Sequence, residues 1–263
     1  MILASKELSA LPAGEDQWLA PARLFCSDRS GGVSSGCWAT NNLGHHVEDA
    51  AAAVRTNRKR LLDLPGLDNV QWLNQIHGTG VIHVQAPSES MPSVDAMWTD
   101  RVGVGLAILT ADCLPVVVAD IEGEVVGAAH AGWRGLCAGV LHELLAALPV
   151  SPLRLRAFIG PAIGAQAFEV GPEVVAALKA AGLASGAEPI SRRAGKYRVD
   201  LAQACAQQLM AMGISSVSGG HWCTYTHERF YSWRRETHRA AAAAETPQTG
   251  RQATLVWLPR AGR

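Results

Sequence analysis

Three β-rich apolar runs in the middle of the chain constrain its fold more than any other feature. They cover residues 102–109, 115–119 and 124–129. The last two are separated by Asp120-Ile-Glu-Gly123, which is typical of a hairpin turn. A hairpin combined with isolated helices favours a mixed sheet over regular βαβ repetition. We therefore expect an α+β (mixed α/β) fold in which residues 1–263 form a single domain.

The rest of the pattern predicts helices and short strands around this hairpin. Helices are expected at about residues 48–62, 135–148, 172–181 and 200–212. Further strands are expected at residues 70–73, 81–84, 153–159 and 254–258. Residues 1–22 have the pattern of a loosely structured entry segment. The alanines at 240–244 are expected to belong to a surface excursion before the last strand.

Composition and charge argue against several classes of function. The 263 residues are 48% hydrophobic and 17% charged, which is typical of a globular protein. Lys plus Arg equals Asp plus Glu at 23 each, so no net field favours nucleic acid or an anionic membrane as a partner. No apolar run reaches the roughly 18 residues of a membrane span, and the N-terminus lacks the pattern of a signal peptide.

The six cysteines are scattered, without the dense spacing of a disulfide framework. Together with the missing export signal, this predicts reduced thiols in a cytoplasmic protein. Cys113 lies in a chemically suggestive segment. The sequence assigns no role to the other five, which are Cys26, Cys37, Cys137, Cys205 and Cys223.

Three short segments carry potential metal ligands at the edges of β-runs. They are Asn74-Gln-Ile-His-Gly78, Thr110-Ala-Asp-Cys-Leu-Pro115 and Ala129-His-Ala-Gly-Trp-Arg-Gly135. Two imidazoles and one thiolate, from His77, Cys113 and His130, would leave a fourth tetrahedral position open for water or substrate, as in catalytic zinc sites. These residues are not closely spaced in sequence, so their spacing also allows a buried cysteine and hydrogen-bonded histidines.

A second interpretation uses the same residues without a metal. Cys113 would be a nucleophile and His130 its general base, with backbone amides of Gly132 or Gly135 as oxyanion donors. The two interpretations differ in one expectation, because only the thiol mechanism predicts an activity that survives chelation.

Many ordered segments of the chain resemble the YfiH or laccase-domain family, whose members are also described as polyphenol oxidoreductases and purine nucleoside phosphorylases. The resemblance covers nearly the whole chain. Its motifs are Gly31-Gly-Val-Ser34, Asn42-Leu-Gly44, Asn57-Arg58, Gln75-Ile-His-Gly78, Asp95-Ala96, Ala111-Asp-Cys-Leu-Pro115, His130-Ala-Gly-Trp-Arg-Gly135, Ile159-Gly-Pro-Ala-Ile-Gly164, Glu169-Val-Gly171, Asp200-Leu201, Cys223-Thr-Tyr225, Phe230-Tyr-Ser-Trp-Arg-Arg235 and Thr249-Gly-Arg251.

The resemblance implies a fold and a metal site. The fold would be an α/β/β/α sandwich similar to the catalytic domain of cytotoxic necrotizing factor toxins, whose catalytic pair Cys113 and His130 would match. His77, Cys113 and His130 would bind one zinc ion, with copper as an alternative. The substrates would be purine nucleosides. Adenosine, inosine or guanosine would react with phosphate to give base and ribose 1-phosphate, and adenosine would also be deaminated.

Candidate site residues follow from that chemistry. His77, Cys113 and His130 would be catalytic as well as metal-binding, and Asp112 would shuttle protons in deamination or orient a ligand. The candidate substrate contacts are guanidinium clamps for phosphate and amides for polar edges of the nucleoside, namely Arg29, Arg134, Arg235, Asn42 and Gln75. Trp133 would stack on the base or serve only in packing.

Three alternative functions remain open at this point. A copper-dependent polyphenol oxidase is disfavoured, because multicopper sites use about ten histidines, typically as His-x-His pairs, whereas this chain has nine and no such pair. An amide hydrolase acting on peptidoglycan precursors would use Cys113 or a metal-activated water. A non-catalytic metal-binding module would leave the thiol inert. The oligomeric state cannot be predicted.

Overall fold

Helices and strands alternate irregularly in the computed structural model, which describes residues 17–183, 187–190 and 193–260. The strands are β1 Arg23–Cys26, β2 Asn69–Gln71, β3 Val81–His83, β4 Ala96–Thr99, β5 Val104–Thr110, β6 Leu114–Asp120, β7 Val126–Ala131, β8 Leu155–Ile159, β9 Glu169–Val170, β10 Glu188–Pro189, β11 Tyr197–Arg198, β12 Ser216–Gly219 and β13 Gln252–Trp257. The helices are α1 Ala51–Arg60, α2 Trp133–Ala138, α3 Val140–Ala147, α4 Pro172–Ala180, α5 Leu201–Ala211 and α6 Trp233–Ala243, and short 3-10 turns cover Gly36–Trp38, Leu61–Asp63 and Pro152–Arg154. Within these ranges no helix is both long and apolar enough to cross a bilayer.

Two mixed sheets form the centre of the structure. One has the strand order β1-β13-β5-β2 and the other β12-β8-β6-β7-β4-β3, while β10-β11-β9 form a small third sheet. The predicted hairpin is confirmed, because β6 and β7 pair antiparallel with Pro115 opposite His130. Its turn is closed by a hydrogen bond from Gly123 N to Asp120 O at 3.0 Å. Gly123 has φ 77°, a left-handed conformation that suits glycine.

The core divides into three apolar layers, which produce the α/β/β/α sandwich. Successive residues of a strand point to opposite faces of its sheet. Apolar side chains cover both faces of each large sheet. The inner layer, between the two sheets, contains Leu24, Leu106, Ile108, Val117 and Ala128. The layer between the six-stranded sheet and the helices contains Val116, Ala129, Leu141, Leu144 and Leu178. On the outer face of the other sheet lie Leu61, Leu64, Ala107, Leu109 and Leu255.

Several sequence predictions about elements need correction. The helix expected over residues 135–148 is two helices, α2 and α3, because Gly139 adopts φ 96° between them. The alanines at 240–244 are not a surface excursion, since all but Ala244 lie in α6, where alanine has the highest helix propensity. Strands β1, β4, β9, β10, β11 and β12 and helix α6 were not predicted. Of the expected entry segment, residues 1–16 lie outside the described residues.

Candidate metal centre and its cleft

The three predicted metal ligands meet at the open end of the β6–β7 hairpin. Cys113 directly precedes β6, His130 lies in β7, and His77 lies in the loop between β2 and β3. Their ligand atoms all lie within 4.8 Å of one another, and Cys113 Sγ is 3.9 Å from His77 Nε2. The two imidazole rings are nearly perpendicular, with centroids 4.7 Å apart. Residues far apart in sequence thus form one compact group of nitrogen and sulfur donors.

Asp95, for which no role was predicted, holds both histidines in place. Its side chain is fully buried and accepts hydrogen bonds from the backbone amides of Ile76, His77 and Gly78 at 3.1, 2.9 and 2.7 Å. The same carboxylate lies 2.8 Å from His130 Nδ1. This contact leaves Nε2 of His130 as the ring nitrogen available to a metal, which is the usual carboxylate–histidine–metal arrangement.

Two non-glycine residues at the site have left-handed backbone conformations. His77 has φ 60° and Asp112 has φ 98°, values that are uncommon for residues with a Cβ and that cluster at functional sites. At His77 the conformation is supported by the amide bonds to Asp95. At Asp112 it is supported by hydrogen bonds of 2.6 Å that its carboxylate accepts from Thr224 Oγ1 and Arg234 N.

Gly132 lets the ligands approach one another. A Cβ at this position would lie 3.1 Å from Cys113 Sγ and 3.2 Å from His77 Cδ2, tighter than ordinary van der Waals contact. Any side chain at residue 132 would therefore press on two of the three ligands. The glycine of the His130-Ala-Gly-Trp-Arg-Gly135 segment is thus explained by packing against the donor group.

The charges of Cys113 and His130 stabilise each other. Burial raises the pKa of the Cys113 thiol, but the positive charge of His130 and hydrogen bonds from both imidazoles lower it more, so the net shift is downward. Burial lowers the pKa of His130, whereas the Cys113 thiolate and Asp95 raise it, and the net shift is upward. Metal binding needs the thiolate and a neutral imidazole, so it would displace a proton from this pair.

The donor set fits a single metal ion. Ligands about 2.0–2.3 Å from a tetrahedral zinc ion lie about 3.5 Å apart. Cys113 Sγ and His77 Nε2 are 3.9 Å apart and no two ligand atoms are more than 4.8 Å apart, so small side-chain shifts would close the group on an ion. Two nitrogens and one sulfur suit zinc or copper better than the hard cations magnesium and calcium.

The donor group opens into a cleft of about 450 Å³. Cavities of this size are typical of small-molecule sites. Besides the three ligands, the lining includes Asp112, Gln75 and Arg134 from the predicted residues. It also includes residues that the sequence reasoning did not select, among them His46, Phe168, Trp233, Arg234 and Arg251.

Two of the predicted phosphate clamps do not line the cleft. The guanidinium of Arg235 is buried, with 6% of the residue exposed, and donates to backbone carbonyls that include Thr224 O at 2.7 Å and Phe230 O. Arg29 donates from Nε to Ala39 O at 2.9 Å and lies over the ring of Tyr231. Both guanidiniums satisfy loop carbonyls, so the clamp role predicted for them needs correction.

The two predicted amide contacts are also engaged by the chain itself. Gln75 lines the cleft, but its side-chain amide pairs with the backbone of Leu109, donating to O at 2.8 Å and accepting from N at 2.9 Å. Asn42 is fully buried and makes its hydrogen bonds to Gly44, Asp49 and Arg251. Both amides therefore position loops, Gln75 at the wall of the cleft and Asn42 in the interior.

The site residues that were missed had a weak sequence signal. Asp95 belongs to the Asp95-Ala96 motif and Arg251 to Thr249-Gly-Arg251, both of which carry the family resemblance without an obvious chemical role. Asp95 contacts residues 17 to 35 positions away. Such contacts have no local pattern, so only the fold reveals them.

Comparison with known proteins agrees with this architecture. The model of the family described as multi-copper polyphenol oxidoreductase laccase matches residues 23–259. A purine nucleoside phosphorylase of Pseudomonas aeruginosa is 42% identical, covering 92% of this chain and 96% of that protein. The purine nucleoside phosphorylase YfiH of Escherichia coli is 39% identical over 92% of this chain and 97% of its own length. A crystal structure of a Neisseria meningitidis protein superposes with a TM-score of 0.83 at 40% identity, covering 92% and 96% of the two chains.

Proposed function

The chain belongs to the family described as multi-copper polyphenol oxidoreductase laccase, and on that premise we propose that it is a zinc-dependent purine nucleoside phosphorylase. Relatives that it matches over most of their length carry that activity in their names. The observation that carries the proposal is a cleft lined by His77, Cys113 and His130 together with three arginines, Arg134, Arg234 and Arg251. We further propose that residues 1–263 form one catalytic domain, which the extent of the family match supports.

The ligand inventory favours one metal ion over the copper cluster implied by the family's description. All nine histidines lie in the described part of the chain. There, only His77 and His130 belong to a group of nitrogen and sulfur donors, together with Cys113. A multicopper oxidase needs several such groups for electron transfer. One copper ion remains an alternative occupant, and metal analysis distinguishes the two.

The proposed reaction transfers ribose from a purine to inorganic phosphate. A phosphate oxygen forms the new bond to C1′, and the C1′–N9 bond breaks with its electron pair going to the purine. The proton of hydrogen phosphate ends on the released base. The cleft arginines would hold the anion, and Trp233, which is 45% exposed, offers a face on which the purine can stack.

The metal ligands would act on the charge that develops in this reaction. When bound, zinc supplies a Lewis acid that stabilises negative charge. His130 is oriented for that role by Asp95, and Gly132 keeps space for His77 and Cys113 to approach. The chain thus supplies a pre-arranged donor group in a site large enough for a nucleoside.

Adenosine deamination is the weaker part of the activity. It needs a carboxylate that can shuttle protons. Asp112 is the only carboxylate that lines the cleft within the described residues, and both of its oxygens accept hydrogen bonds, from Thr224 and Arg234. Its geometry supports a positioning role, so we expect phosphorolysis to dominate.

The test combines metal content with product analysis. Elemental mass spectrometry should find about one zinc per chain, and chromatography should find hypoxanthine and ribose 1-phosphate from inosine only when phosphate is present. Cys113→Ser should lose both metal and turnover. Cys37→Ser is the matched control, because Cys37 lies outside the cleft lining. Zinc without turnover of any purine nucleoside would refute the proposed substrate, and a metal-free wild type would refute the metal site.

A second candidate function is favoured by one contact pattern. Asp95 orients His130, and the imidazole of His130 stabilises the Cys113 thiolate, as in cysteine hydrolases. This arrangement supports a thiol-dependent amide hydrolase, whereas peptidoglycan precursors as its substrates rest on the family resemblance alone. That activity would persist after chelation and be abolished by iodoacetamide, whereas the metal-dependent reaction would be lost in a chelator and restored by zinc.

A further inference from the structure

The lining of the cleft carries more positive than negative charge. Arg134, Arg234 and Arg251 all line it. Within the described residues none of the three forms an ion pair with a carboxylate. The lining carboxylate, Asp112, accepts hydrogen bonds from Thr224 and from the backbone of Arg234, and its single negative charge offsets only one of the three cations. An anion from solution is the group that would complete this lining.

The three arginines differ in how their stems and heads are held, not in whether donors remain free. Arg234 uses only Nη1, which donates to Ala167 O at 3.3 Å and to Glu169 O at 2.9 Å, and its guanidinium lies over the Phe168 ring. The guanidinium of Arg134 lies over the Trp133 ring, 4.5 Å from its centroid, on an exposed side chain. Arg251 is half-buried and uses only Nη1, which donates to the carbonyls of Thr249 and Gly250. Its Nε and Nη2 make no hydrogen bond within the described chain.

The stem of Arg251 is held by a buried network. Its backbone N donates to Asn42 Oδ1 at 2.8 Å, and its carbonyl accepts from Leu43 N at 3.0 Å. Gly44 lies directly beneath the stem, where a Cβ would come within 2.7 Å of Arg251 Cγ. The glycine therefore lets the arginine lie flat on the loop, and the direction of its head is fixed.

Asn42 is the centre of that network. Its Oδ1 also accepts from Gly44 N at 2.9 Å, while its Nδ2 donates to Gly44 O at 2.9 Å and to Asp49 Oδ2 at 3.0 Å. Every hydrogen-bonding position of this fully buried amide is used within the chain. Loss of one member of this network would leave a buried polar group unpaired and destabilise the fold. The network also orients the guanidinium of Arg251, which lines the cleft.

The pKa of His46 reflects the positive charge around Arg251. His46 lines the same cleft. Burial lowers its pKa, and the positive charges of Arg251, His45 and Arg58 lower it further, to about 4. His46 is therefore neutral at neutral pH, beside a concentration of positive charge that favours a bound anion.

We propose that Arg251 binds the inorganic phosphate co-substrate through its free Nε and Nη2 donors, and that Asn42 and Gly44 are positioning residues for it. The proposal rests on the proposed phosphorylase function. A guanidinium edge with two parallel donors matches two oxygens of a phosphate, so the contact is bidentate. Because Arg251 lines the same cleft as Cys113, the bound anion would lie beside the metal ligands.

The experiment measures phosphate affinity in two independent ways. In steady-state kinetics, Arg251→Met should raise KM for phosphate about 10- to 100-fold, the effect of losing a charge-assisted bidentate contact, with little change in KM for inosine. Arg251→Lys should give an intermediate KM for phosphate, because lysine keeps the positive charge but lacks the two parallel N–H donors of a guanidinium. Gly44→Ala should raise the same constant less than Arg251→Met. Arg101→Met is the matched control, since Arg101 is exposed and pairs with Asp100 outside the cleft.

Calorimetric titration with inorganic phosphate, without nucleoside, separates this proposal from the proposed function. If the wild type turns over no nucleoside but binds phosphate, and Arg251→Met abolishes that binding, the anion site stands and only the phosphorylase function fails. Equal phosphate affinity and an unchanged phosphate KM in Arg251→Met, with wild-type metal content and thermal stability, would overturn the assignment. A Gly44→Ala variant that lowers kcat alone would overturn the positioning role.

Discussion

The two ends of the β6–β7 hairpin hold two groups of potential metal ligands with opposite chemistry. At the open end, His77, Cys113 and His130 present nitrogen and sulfur atoms. At the turn, Asp120, Glu122 and Glu124 present carboxylate oxygens within the same 4.8 Å limit. By spacing alone the two groups are equivalent, so proximity does not decide which one binds a metal.

The side chains that contact each group indicate which of the two binds a metal ion. Arg154 Nη2 lies 2.7 Å from a carboxylate oxygen of Asp120 and 2.8 Å from those of Glu122 and Glu124. The guanidinium thus occupies the place that a cation would take. At the open end the carboxylate of Asp95 is hydrogen-bonded to the metal ligand His130, and it adds negative charge to the site. At the turn a permanently charged guanidinium already lies among the carboxylates, whereas at the open end His130 can give up its proton to a metal ion.

Removing a ligand from the open end is the sharpest way to test that contrast. His77 is exposed, so His77→Ala should leave the fold nearly unchanged. It should lower zinc affinity by more than the ~10- to 100-fold typical of losing an outer partner of a ligand. Competition with a chromophoric chelator measures the affinity. His83→Ala is the control, because His83 is also exposed and pairs with Asp100 away from the cleft. Equal affinities in the two variants would end the metal assignment.

Asp95→Asn tests the support of the ligands without removing one. The substitution keeps the size of the side chain but places an amide NH2 among backbone N–H donors and His130, which cannot all be satisfied. We expect zinc affinity to fall about 10- to 100-fold and the apo protein to melt at a lower temperature. Asp100→Asn, on an exposed side chain, is the matched control. Wild-type zinc affinity in Asp95→Asn would show that Asp95 has only a structural role.

The comparison also shows what the sequence could predict. The hairpin and its turn were predictable, because Asp120-Ile-Glu-Gly123 has local turn chemistry between two apolar runs. The ligand group was predictable from residue type and family resemblance. The functions of Asp95 and Arg154 were not, since they act through contacts to His130 and Asp120, which lie 35 and 34 positions away along the chain.

The errors have physical reasons too. Helix α6 begins with Trp233 and Arg234 and buries only Arg235 and Ala240, so it lacks the apolar period that identifies a helix in sequence. Arg235 was expected to face phosphate, but a guanidinium satisfies carbonyl oxygens equally well. Composition cannot tell which way such a side chain points, and the structure turns Arg235 inward.

Arg154→Met should convert the turn group into a site that responds to added cations. Burial raises the pKa of Asp120, but its hydrogen bonds and ion pair with Arg154 lower it more, so the net shift is downward. The pair therefore stabilises the fold above the ordinary carboxyl pKa of 3.8, and this contribution is lost as the pH falls through the lowered pKa.

At neutral pH the variant should melt several degrees below wild type, and the difference should shrink as the pH falls below that window. Millimolar calcium should raise the melting temperature of the variant more than that of wild type, because three carboxylates then lack a cation. Arg154→Lys is the control that keeps the charge without the bidentate fork. A calcium effect equal in variant and wild type would show that Arg154 does not fill a cation position.

Glu122→Gln should have the smallest effect, because it removes one exposed carboxylate from a group that retains two. The Glu122 side chain is 60% exposed and shares Arg154 with Asp120 and Glu124, so solvent screens its charge. Exposed ion pairs contribute at most about 1 kcal/mol, which corresponds to a melting shift of no more than about 2–4 °C. Differential scanning calorimetry at low and high salt measures it. A larger, salt-insensitive loss would mean that the three carboxylates act as one buried unit, and the turn would then resemble the open end more closely than its exposure indicates.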